Sequence, residues 1–163
     1  MNQCPCGFLG DPRRECVCGP AQIERYRSKI SGPLLDRIDL QVEVPSVAYG
    51  DLRREEPAES SASIRERVLK MREIQRRRFD AYPGVTTNAQ MDSAELRKFC
   101  RLDSESDKLL EQAMEQLNLS ARAHSRILKV ARTLADMGGR ETLSSDDVME
   151  AIQYRSLDRR LWA

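Results

Sequence analysis

The stretch that decides the fold is residues 119–137, which read LSARAHSRILKVARTLADM. Its apolar residues recur with the spacing of one helical face: Ile127, Leu128, Ala131, Leu134 and Ala135. Its cations recur close to the opposite face: Arg122, Arg126, Lys129 and Arg132. Ser120 has the chemistry of an N-cap, and Gly138 with Gly139 can end the helix. The pattern predicts an amphipathic helix that packs into a helical core on one side and presents cations on the other. For an isolated helix, the simpler interpretation is that the basic face is only solvated.

The composition is that of a helix-rich protein with a modest core. The chain has 163 residues, of which 33% are charged and 5% aromatic, and its formal net charge is +1. This length allows one domain, or a small domain with an appendage. No apolar run approaches the roughly 20 residues of a membrane span, and the N-terminus lacks the apolar region of a signal peptide. We therefore expect a cytoplasmic protein with no membrane partner, in which thiols stay reduced.

Four of the five cysteines form two C-x-C pairs near the N-terminus, Cys4 with Cys6 and Cys16 with Cys18. Glycine, aspartate and proline lie between the pairs and favour tight turns. Two short chelating arms that such a loop folds together can place four thiolates around a tetrahedral Zn²⁺ ion. The pattern favours a zinc site, and a reduced loop without metal is the alternative. The fifth cysteine, Cys100, stands alone within LRKFCRL and is predicted to be a buried helix residue.

The first 50 residues predict short helices and one strand. Residues 20–30 favour a short helix, and the Gly-Pro pair at 32–33 can start a one-turn helix. Leu40, Val42 and Val44 alternate with polar residues, which predicts a strand that is half buried on one side. A single strand needs partners, and the sequence offers no convincing second strand. We therefore expect the chain to be part of something larger.

The remainder of the chain is predicted to be helical. Residues 51–61 are polar and charged, and predict an exposed linker. Helical patterns then follow with short connections, at about 62–81, 93–100, 105–117, 119–137 and 145–154. The side chains that we expect to cap them are Asp92 with Glu95, Ser104, Ser120 and Ser144. Residues 62–157 should therefore form a compact helical bundle, with 158–163 as a tail.

The sequence lacks the motifs of a self-sufficient enzyme. It has no Walker A glycine loop, no acidic strand end that binds Mg²⁺, no G-x-S-x-G and no H-E-x-x-H. Its only histidine, His124, is expected to be a surface or packed residue rather than a catalyst. The arginines at 76–78 suit the negative end of a helix dipole, which we favour over a nucleic-acid patch because no aromatic platform is interleaved. We expect no catalysis by this chain alone.

Three strings of the sequence resemble the magnesium-chelatase-like AAA+ ATPases of the ComM/YifB family. They are MNQCPCGFLGDPRRECVCGPAQIERYRSKISGPLLDRIDLQVEVP at 1–45, LSARAHSRILKVARTLAD at 119–136 and EAIQYRSLDR at 150–159. With the helices between them, they cover nearly the whole chain. The resemblance implies a mainly α fold, the helical-bundle lid domain of an AAA+ ATPase at 62–157. It also implies a remnant of the α/β nucleotide-binding domain at 1–50, with the four-cysteine insert at 4–18.

Three polar residues match nucleotide-site positions of that family. The resemblance implies that Asn2 is sensor 1, which helps place the attacking water. It implies that Arg37, in LLDRID, is the arginine finger that reaches the nucleotide of the neighbouring subunit, and that Arg122, in SARAH, is the sensor 2 arginine that contacts the phosphates in its own subunit. Guanidinium groups suit such roles because they can match phosphate oxygens bidentately. Asp36 and Asp39 flank Arg37, so a local ion pair of little energetic worth is the alternative for that residue.

The resemblance also implies ligands and partners for the whole protein. They are ATP with Mg²⁺, identical subunits in a hexameric ring, and branched or single-stranded DNA. The Walker A and Walker B segments have no counterpart here, so we expect them upstream, with weak or absent nucleotide affinity in this chain. Two alternatives stay open: a non-enzymatic helical module with a zinc-stapled arm that binds DNA or protein, and a subunit of a true magnesium chelatase. The C-x-C pairs favour the ComM/YifB branch, because chelatase subunits lack this insert.

Overall fold

The computed structural model describes residues 2–44, 47, 49–53 and 58–155. The predicted tail at 158–163, the end of the predicted bundle at 156–157 and the middle of the predicted linker at 54–57 lie outside these residues. The helices of the described part are α1 (Pro20–Arg27), α2 (Gly32–Leu35), α3 (Tyr49–Leu52), α4 (Ser61–Arg78), a 3₁₀ turn (Asn88–Gln90), α5 (Ser93–Phe99), α6 (Ser104–Gln116), α7 (Ala121–Met137) and α8 (Ser145–Gln153). Among the helices described, none is both long and apolar enough to cross a membrane.

Helix α7, which the opening stretch predicts, is the centre of the bundle. It contacts α4, the 3₁₀ turn, α5 and α8, while α6 packs against α8. The core contains the following buried residues: Phe79, Met91, Leu96, Cys100, Leu110, Ile127, Leu128, Ala131, Leu143, Val148 and Ala151. Ser120 caps α7 by accepting a hydrogen bond from the Ala123 N–H. The helix ends at Gly138, and Gly139 follows with a φ of 67°, which confirms the predicted start and stop.

Of two predicted N-caps beside the core, one is confirmed and the other is wrong. The predicted capping box of Asp92 and Glu95 is present at the start of α5. The predicted cap Ser104 is wrong. Asp103 caps α6 instead, because its carboxylate accepts a hydrogen bond from the Ser106 N–H, and Ser104 becomes the first helical residue. A carboxylate at this position also suits the positive end of the helix dipole.

The strand predicted at 40–44 is wrong, because the described residues contain no strand. Leu40, Val42 and Val44 are 52%, 64% and 81% exposed. The Gln41 N–H donates to the carbonyl of Tyr154 in the bundle, at 2.9 Å, rather than to a neighbouring strand. Alternation of apolar residues favours an extended backbone, but a strand also needs a hydrogen-bonded partner. The described part of the chain supplies none.

The spacing predicted that Arg132 lies on the basic face of α7, but the structure buries this residue. It is 1% exposed, and its Nε donates to Asp136 Oδ1 at 3.1 Å. Asp136 Oδ2 also accepts hydrogen bonds from Arg78 Nη1 at 2.6 Å and from Asn88 Nδ2 at 2.9 Å. We call these four residues the Asp136 network. It joins the end of α4, the 3₁₀ turn and α7, so Arg78 neutralises a buried carboxylate rather than serving only the dipole of its own helix.

Candidate functional site

The four paired cysteines form one cluster near the N-terminus. Sγ of Cys4 lies 3.4 Å from Sγ of Cys6 and 3.6 Å from Sγ of Cys16, and the Cys6–Cys16 separation is 3.6 Å. With Cys18 included, all four sulfur atoms lie within 4.8 Å of one another, and all four thiols are free. Tetrahedral zinc with Zn–S bonds of about 2.3 Å requires sulfur separations of about 3.8 Å. The donor set and its dimensions therefore fit such an ion.

The loop between the pairs folds the cluster through two tight turns. Gly7 and Gly10 have φ values of 83° and 81°, which side chains other than glycine rarely adopt. The Gly7 N–H donates to the carbonyl of Cys4 at 3.1 Å, and the Asp11 carboxylate accepts from the Arg13 N–H at 2.7 Å. The loop thus turns back on itself, and the second C-x-C pair meets the first.

Protonation differs among the sulfur atoms of the cluster. A backbone hydrogen bond from Phe8 lowers the pKa of Cys6 to about 6, so its thiolate is well populated at neutral pH. For Cys16, a backbone hydrogen bond at Cys18 favours the thiolate. Burial and the contacts with Cys4 and Cys6 outweigh that effect and raise the pKa of Cys16 to about 12. The cluster therefore holds both thiolate and thiol, and a bound cation would displace the remaining protons.

Cys100 is separate from this cluster. It is 5% exposed in the core of the bundle, and its Sγ lies 3.7 Å from the carbonyl oxygen of Leu128. Burial raises the pKa of its thiol to about 11. The prediction that Cys100 is buried is confirmed, but its predicted place within a helix is wrong, because Cys100 is the C-cap that follows α5.

Arg37 lies in the turn that follows α2, and it is exposed. Its Nη1 donates to the carbonyl of Pro33 at 3.3 Å, and no carboxylate of the described residues pairs with its guanidinium. Asp36 and Asp39 lie on either side of it in sequence, but their carboxylates are engaged with the bundle. The alternative of a local ion pair for Arg37 is therefore wrong within the described part of the chain.

Arg122 lies in the first turn of α7 and is also exposed. Within residues 2–44 and 58–155, no carboxylate pairs with it, whereas Arg126 pairs with Asp39 and Arg132 pairs with Asp136 on the same helix. The N-terminus of a helix carries partial positive charge. An exposed guanidinium at this end of α7 therefore suits a phosphate group.

Asn2 lies against the cysteine loop. A Cβ atom added at Gly7 would come within 3.1 Å of the Asn2 amide nitrogen, so the glycine allows this close approach. The structure thus brings the four cysteines together and places Asn2 beside them. No described hydrogen bond or ion pair joins Asn2, Arg37 and Arg122 to one another, and all three side chains are exposed.

Sequence reasoning missed the contacts that hold the Arg37 turn against the bundle. Five side chains make them, and we call this set the clasp: Asp36, Asp39, Ser120, Arg126 and Arg155. Its partners lie 84 to 119 positions apart: Ser120 is 84 positions from Asp36, Arg126 is 87 from Asp39, and Arg155 is 155 − 36 = 119 from Asp36. Periodicity within a helix carries no information about partners at such separations. The one available signal was the pair of aspartates that flank Arg37, and it suggested an ion pair with Arg37 rather than with the bundle.

Both parts of the chain match known family descriptions. Residues 58–155 match "Magnesium chelatase, subunit ChlI C-terminal", and residues 1–52 match "Magnesium chelatase, subunit ChlI". The competence protein ComM of Haemophilus influenzae is 41% identical over 99% of this chain and 30% of its own length. The uncharacterized protein YifB of Escherichia coli is 42% identical over 99% of this chain and 31% of its own length. The uncharacterized protein Rv2897c of Mycobacterium tuberculosis is 36% identical over 98% of this chain and 31% of its own length. The chain thus spans less than a third of the curated relatives it matches.

Proposed function

Because the chain belongs to the magnesium chelatase subunit ChlI family, we propose that it is the C-terminal sensor and lid part of an ATP-hydrolysing protein. The match to both ChlI descriptions carries this proposal, and the surroundings of two arginines fit it. Arg37 and Arg122 are exposed and have no carboxylate partner among the described residues, although Arg126, Arg132 and Arg155 each pair with one. A guanidinium without a protein anion is available to an anionic ligand, and planar bidentate donors match phosphate oxygens.

In this proposal the arginines act on different nucleotides. Arg122, at the start of α7, contacts the phosphates held by its own subunit. Arg37 reaches the nucleotide of the neighbouring subunit in a ring of identical chains, and Asn2 helps to place the attacking water. Phosphoryl transfer leaves charge on the phosphate oxygens, so the contribution of these residues is positioning and electrostatic stabilisation. ATP and Mg²⁺ would be held by the Walker segments of the whole protein, in the part of the relatives that this chain does not match.

The exposed segment at 40–44 supports the idea that this chain packs against further structure. It presents Leu40, Val42 and Val44 to solvent on one short stretch. Clustered apolar side chains on a surface mark contact sites. In the whole protein, this segment would pack against the rest of the nucleotide-binding domain. Residues 1–50 would then complete that domain, 51–61 would be the linker, and 62–157 the lid.

For the cysteine cluster we propose a structural Zn²⁺ site. Four sulfur donors close a tetrahedral shell and leave no open position for a substrate. The arm that carries them also contacts the segment beyond the predicted strand, since Arg13 Nη2 donates to the carbonyl of Val47 at 3.1 Å. Arg27 Nε donates to the carbonyl of Gln3 at 3.2 Å and ties α1 to the same arm. A bound ion would fix the arm, and with it Asn2.

Metal analysis tests this site directly. Protein purified with zinc under reducing conditions should contain one equivalent of Zn²⁺, and Co²⁺ substitution should give the intense absorption of tetrahedral thiolate coordination. Cys6→Ser and Cys16→Ser should each lose most of the metal, because each removes one of four ligands. Cys100→Ser is the matched control and should bind metal normally. Full metal content in both cluster variants would rule the site out.

The name of one relative suggests a substrate for the proposed ATP-hydrolysing protein. This relative is named a competence protein, and we propose that the whole protein moves branched or single-stranded DNA with energy from ATP. One alternative is a non-enzymatic module that binds DNA or protein. The other is a subunit of a true magnesium chelatase, which the name of the matching family supports.

An ATPase assay on the whole protein separates these functions. We expect hydrolysis that requires Mg²⁺ and rises when branched or single-stranded DNA is added, while an equal concentration of a neutral polymer leaves it unchanged. DNA binding without hydrolysis would favour the non-enzymatic module. Hydrolysis that DNA leaves unchanged, but that couples to insertion of Mg²⁺ into a porphyrin, would favour the chelatase.

A further inference from the structure

The turn that carries Arg37 is held between the start of α7 and the end of α8. The Gln41 N–H donates to the carbonyl of Tyr154 at 2.9 Å, which ties the segment after the turn to the end of α8. The Nη1 atom of Arg155 donates to the carbonyl of Ile38 within the turn itself. Two backbone groups of the segment are therefore bonded to one short stretch of the bundle.

Asp36 makes the buried side of this contact. Its Oδ2 accepts a hydrogen bond from Ser120 Oγ at 2.9 Å, and its Oδ1 lies 3.6 Å from Nη2 of Arg155. The Arg155 side chain is 1% exposed and that of Asp36 is 31% exposed. A buried guanidinium is tolerated only with anionic or carbonyl partners. The Arg37 turn supplies both kinds, through the carboxylate of Asp36 and the carbonyl of Ile38.

Asp39 makes the solvent side of the same contact. It forms an ion pair with Arg126, and the two side chains are 46% and 30% exposed. Arg126 lies four residues after Arg122, so both arginines lie on the same side of α7, one turn apart. In sequence, Arg37 thus lies between Asp36 and Asp39. Arg122 lies between their partners, Ser120 and Arg126.

We propose that the clasp makes the Arg37 turn and the start of α7 one mechanical unit, so that Asp36, Asp39, Arg126 and Arg155 position Arg37 relative to Arg122. A displacement of α7 that moves Arg122 then moves Arg37 with it. The catalytic meaning of this link rests on the proposed function, in which the two arginines serve adjacent nucleotides: the lid of one site would adjust the arginine offered to the next. These two aspartates and two arginines of the clasp are positioning residues, since none of them contacts a nucleotide in this scheme.

Amide hydrogen exchange at Gln41 measures the mechanical link in this chain without any nucleotide. Its N–H is protected by Tyr154 while the segment stays docked. Asp39→Asn should speed exchange at Gln41 about threefold to tenfold, because the lost pair is partly exposed. Reversing the pair, with Asp39→Arg and Arg126→Asp together, should return the rate to within about twofold of the original. The control is Glu73→Gln, which weakens the partly exposed contacts of a carboxylate with Arg76 and Arg77 on α4 and should not affect Gln41.

Steady-state kinetics of the whole protein measure the consequence. Asp39→Asn should lower kcat by on the order of tenfold to 10²-fold with little change in KM for ATP, because misplaced groups affect the chemical step. The reversed pair should recover most of kcat, which a change in general stability would not do. Glu73→Gln should hydrolyse ATP as the unaltered protein does.

The outcomes separate the inference from the proposed function. Unchanged Gln41 exchange in Asp39→Asn would overturn the mechanical link, whatever the kinetics. Faster exchange with normal kcat, in a protein where Arg37→Ala and Arg122→Ala do stop hydrolysis, would overturn the positioning role alone. If Arg37→Ala and Arg122→Ala leave hydrolysis intact, the proposed function fails, and the positioning role of the clasp fails with it.

Discussion

Replacing Arg37 by alanine in the whole protein is expected to lower ATP hydrolysis by on the order of 10³-fold or more, because an arginine finger stabilises charge that develops only in the transition state. Arg122→Ala should also abolish most hydrolysis, since its guanidinium would no longer neutralise phosphate oxygens at the start of α7. Steady-state hydrolysis by rings made of one variant measures both effects. Neither variant should lose stability, because both side chains are exposed and have no carboxylate partner in the described residues.

The control for this prediction is Arg76→Ala. Arg76 is an exposed arginine on α4 whose guanidinium pairs with Glu73, and it has no place in the proposed nucleotide site. Hydrolysis by this variant should stay within about twofold of the unaltered protein, in keeping with the small energetic worth of an exposed ion pair. Near-normal hydrolysis by either Arg37→Ala or Arg122→Ala would refute the role proposed for that residue.

The largest loss of stability is expected from Asp136→Ala. The change removes the carboxylate of the Asp136 network and leaves the charge of Arg132, which is 1% exposed, without its anion. Breaking one side of a buried ion pair costs about 3–5 kcal/mol, against a total free energy of unfolding of roughly 5–15 kcal/mol for a domain. Urea-induced unfolding of this chain, followed by circular dichroism, should show a much lower midpoint.

Glu73→Ala is the matched control for burial. Glu73 also accepts hydrogen bonds from two arginines, Arg76 at 3.0 Å and Arg77 at 2.9 Å, but its side chain is 38% exposed. Its loss should cost no more than about 1 kcal/mol, because water replaces the carboxylate around exposed guanidinium groups. Equal losses of stability in the two variants would contradict the account of the network.

Local pattern predicted the bundle well because local forces determine it. The periodicity of 119–137 located α7 and its buried face, and the serine and glycine residues at its ends located its limits. Asp103 displaced Ser104 as the cap of α6 because both residues can accept the same kind of hydrogen bond and lie one position apart. Such shifts of one residue depend on backbone geometry that propensity does not resolve.

Arg132 shows where periodicity fails. Its spacing matches that of Arg122, which is exposed, and of Arg126, which is partly exposed, yet Asp136, one turn later on α7, pairs with Arg132 inside the protein. The pairing depends on Arg78, 58 residues away from Asp136, which no helical repeat can indicate. The prediction of a strand at 40–44 was wrong for a related reason. Its pattern describes an alternation of side chains and gives no information about a partner strand.

The candidate site was predictable in part. The spacing of the four cysteines indicated their cluster, because two C-x-C pairs joined by turn-forming residues can close locally. The resemblance singled out Arg37 and Arg122, but the clasp between their segments required the fold. Ser120 illustrates this limit: its role as a cap was readable from the sequence, while its hydrogen bond to Asp36 was not.

The most direct test of the central claim mixes the two arginine variants in one ring. Arg37→Ala subunits keep Arg122, and Arg122→Ala subunits keep Arg37, so each can supply what the other lacks only if the two arginines act on different subunits' nucleotides. In a random equal mixture, half of the sites keep their own Arg122, and half of those face a neighbour with Arg37. Hydrolysis should therefore rise from near zero to about a quarter of the normal rate. A mixture that stays as inactive as either variant alone would contradict the assignment of Arg122 to its own site and Arg37 to its neighbour's.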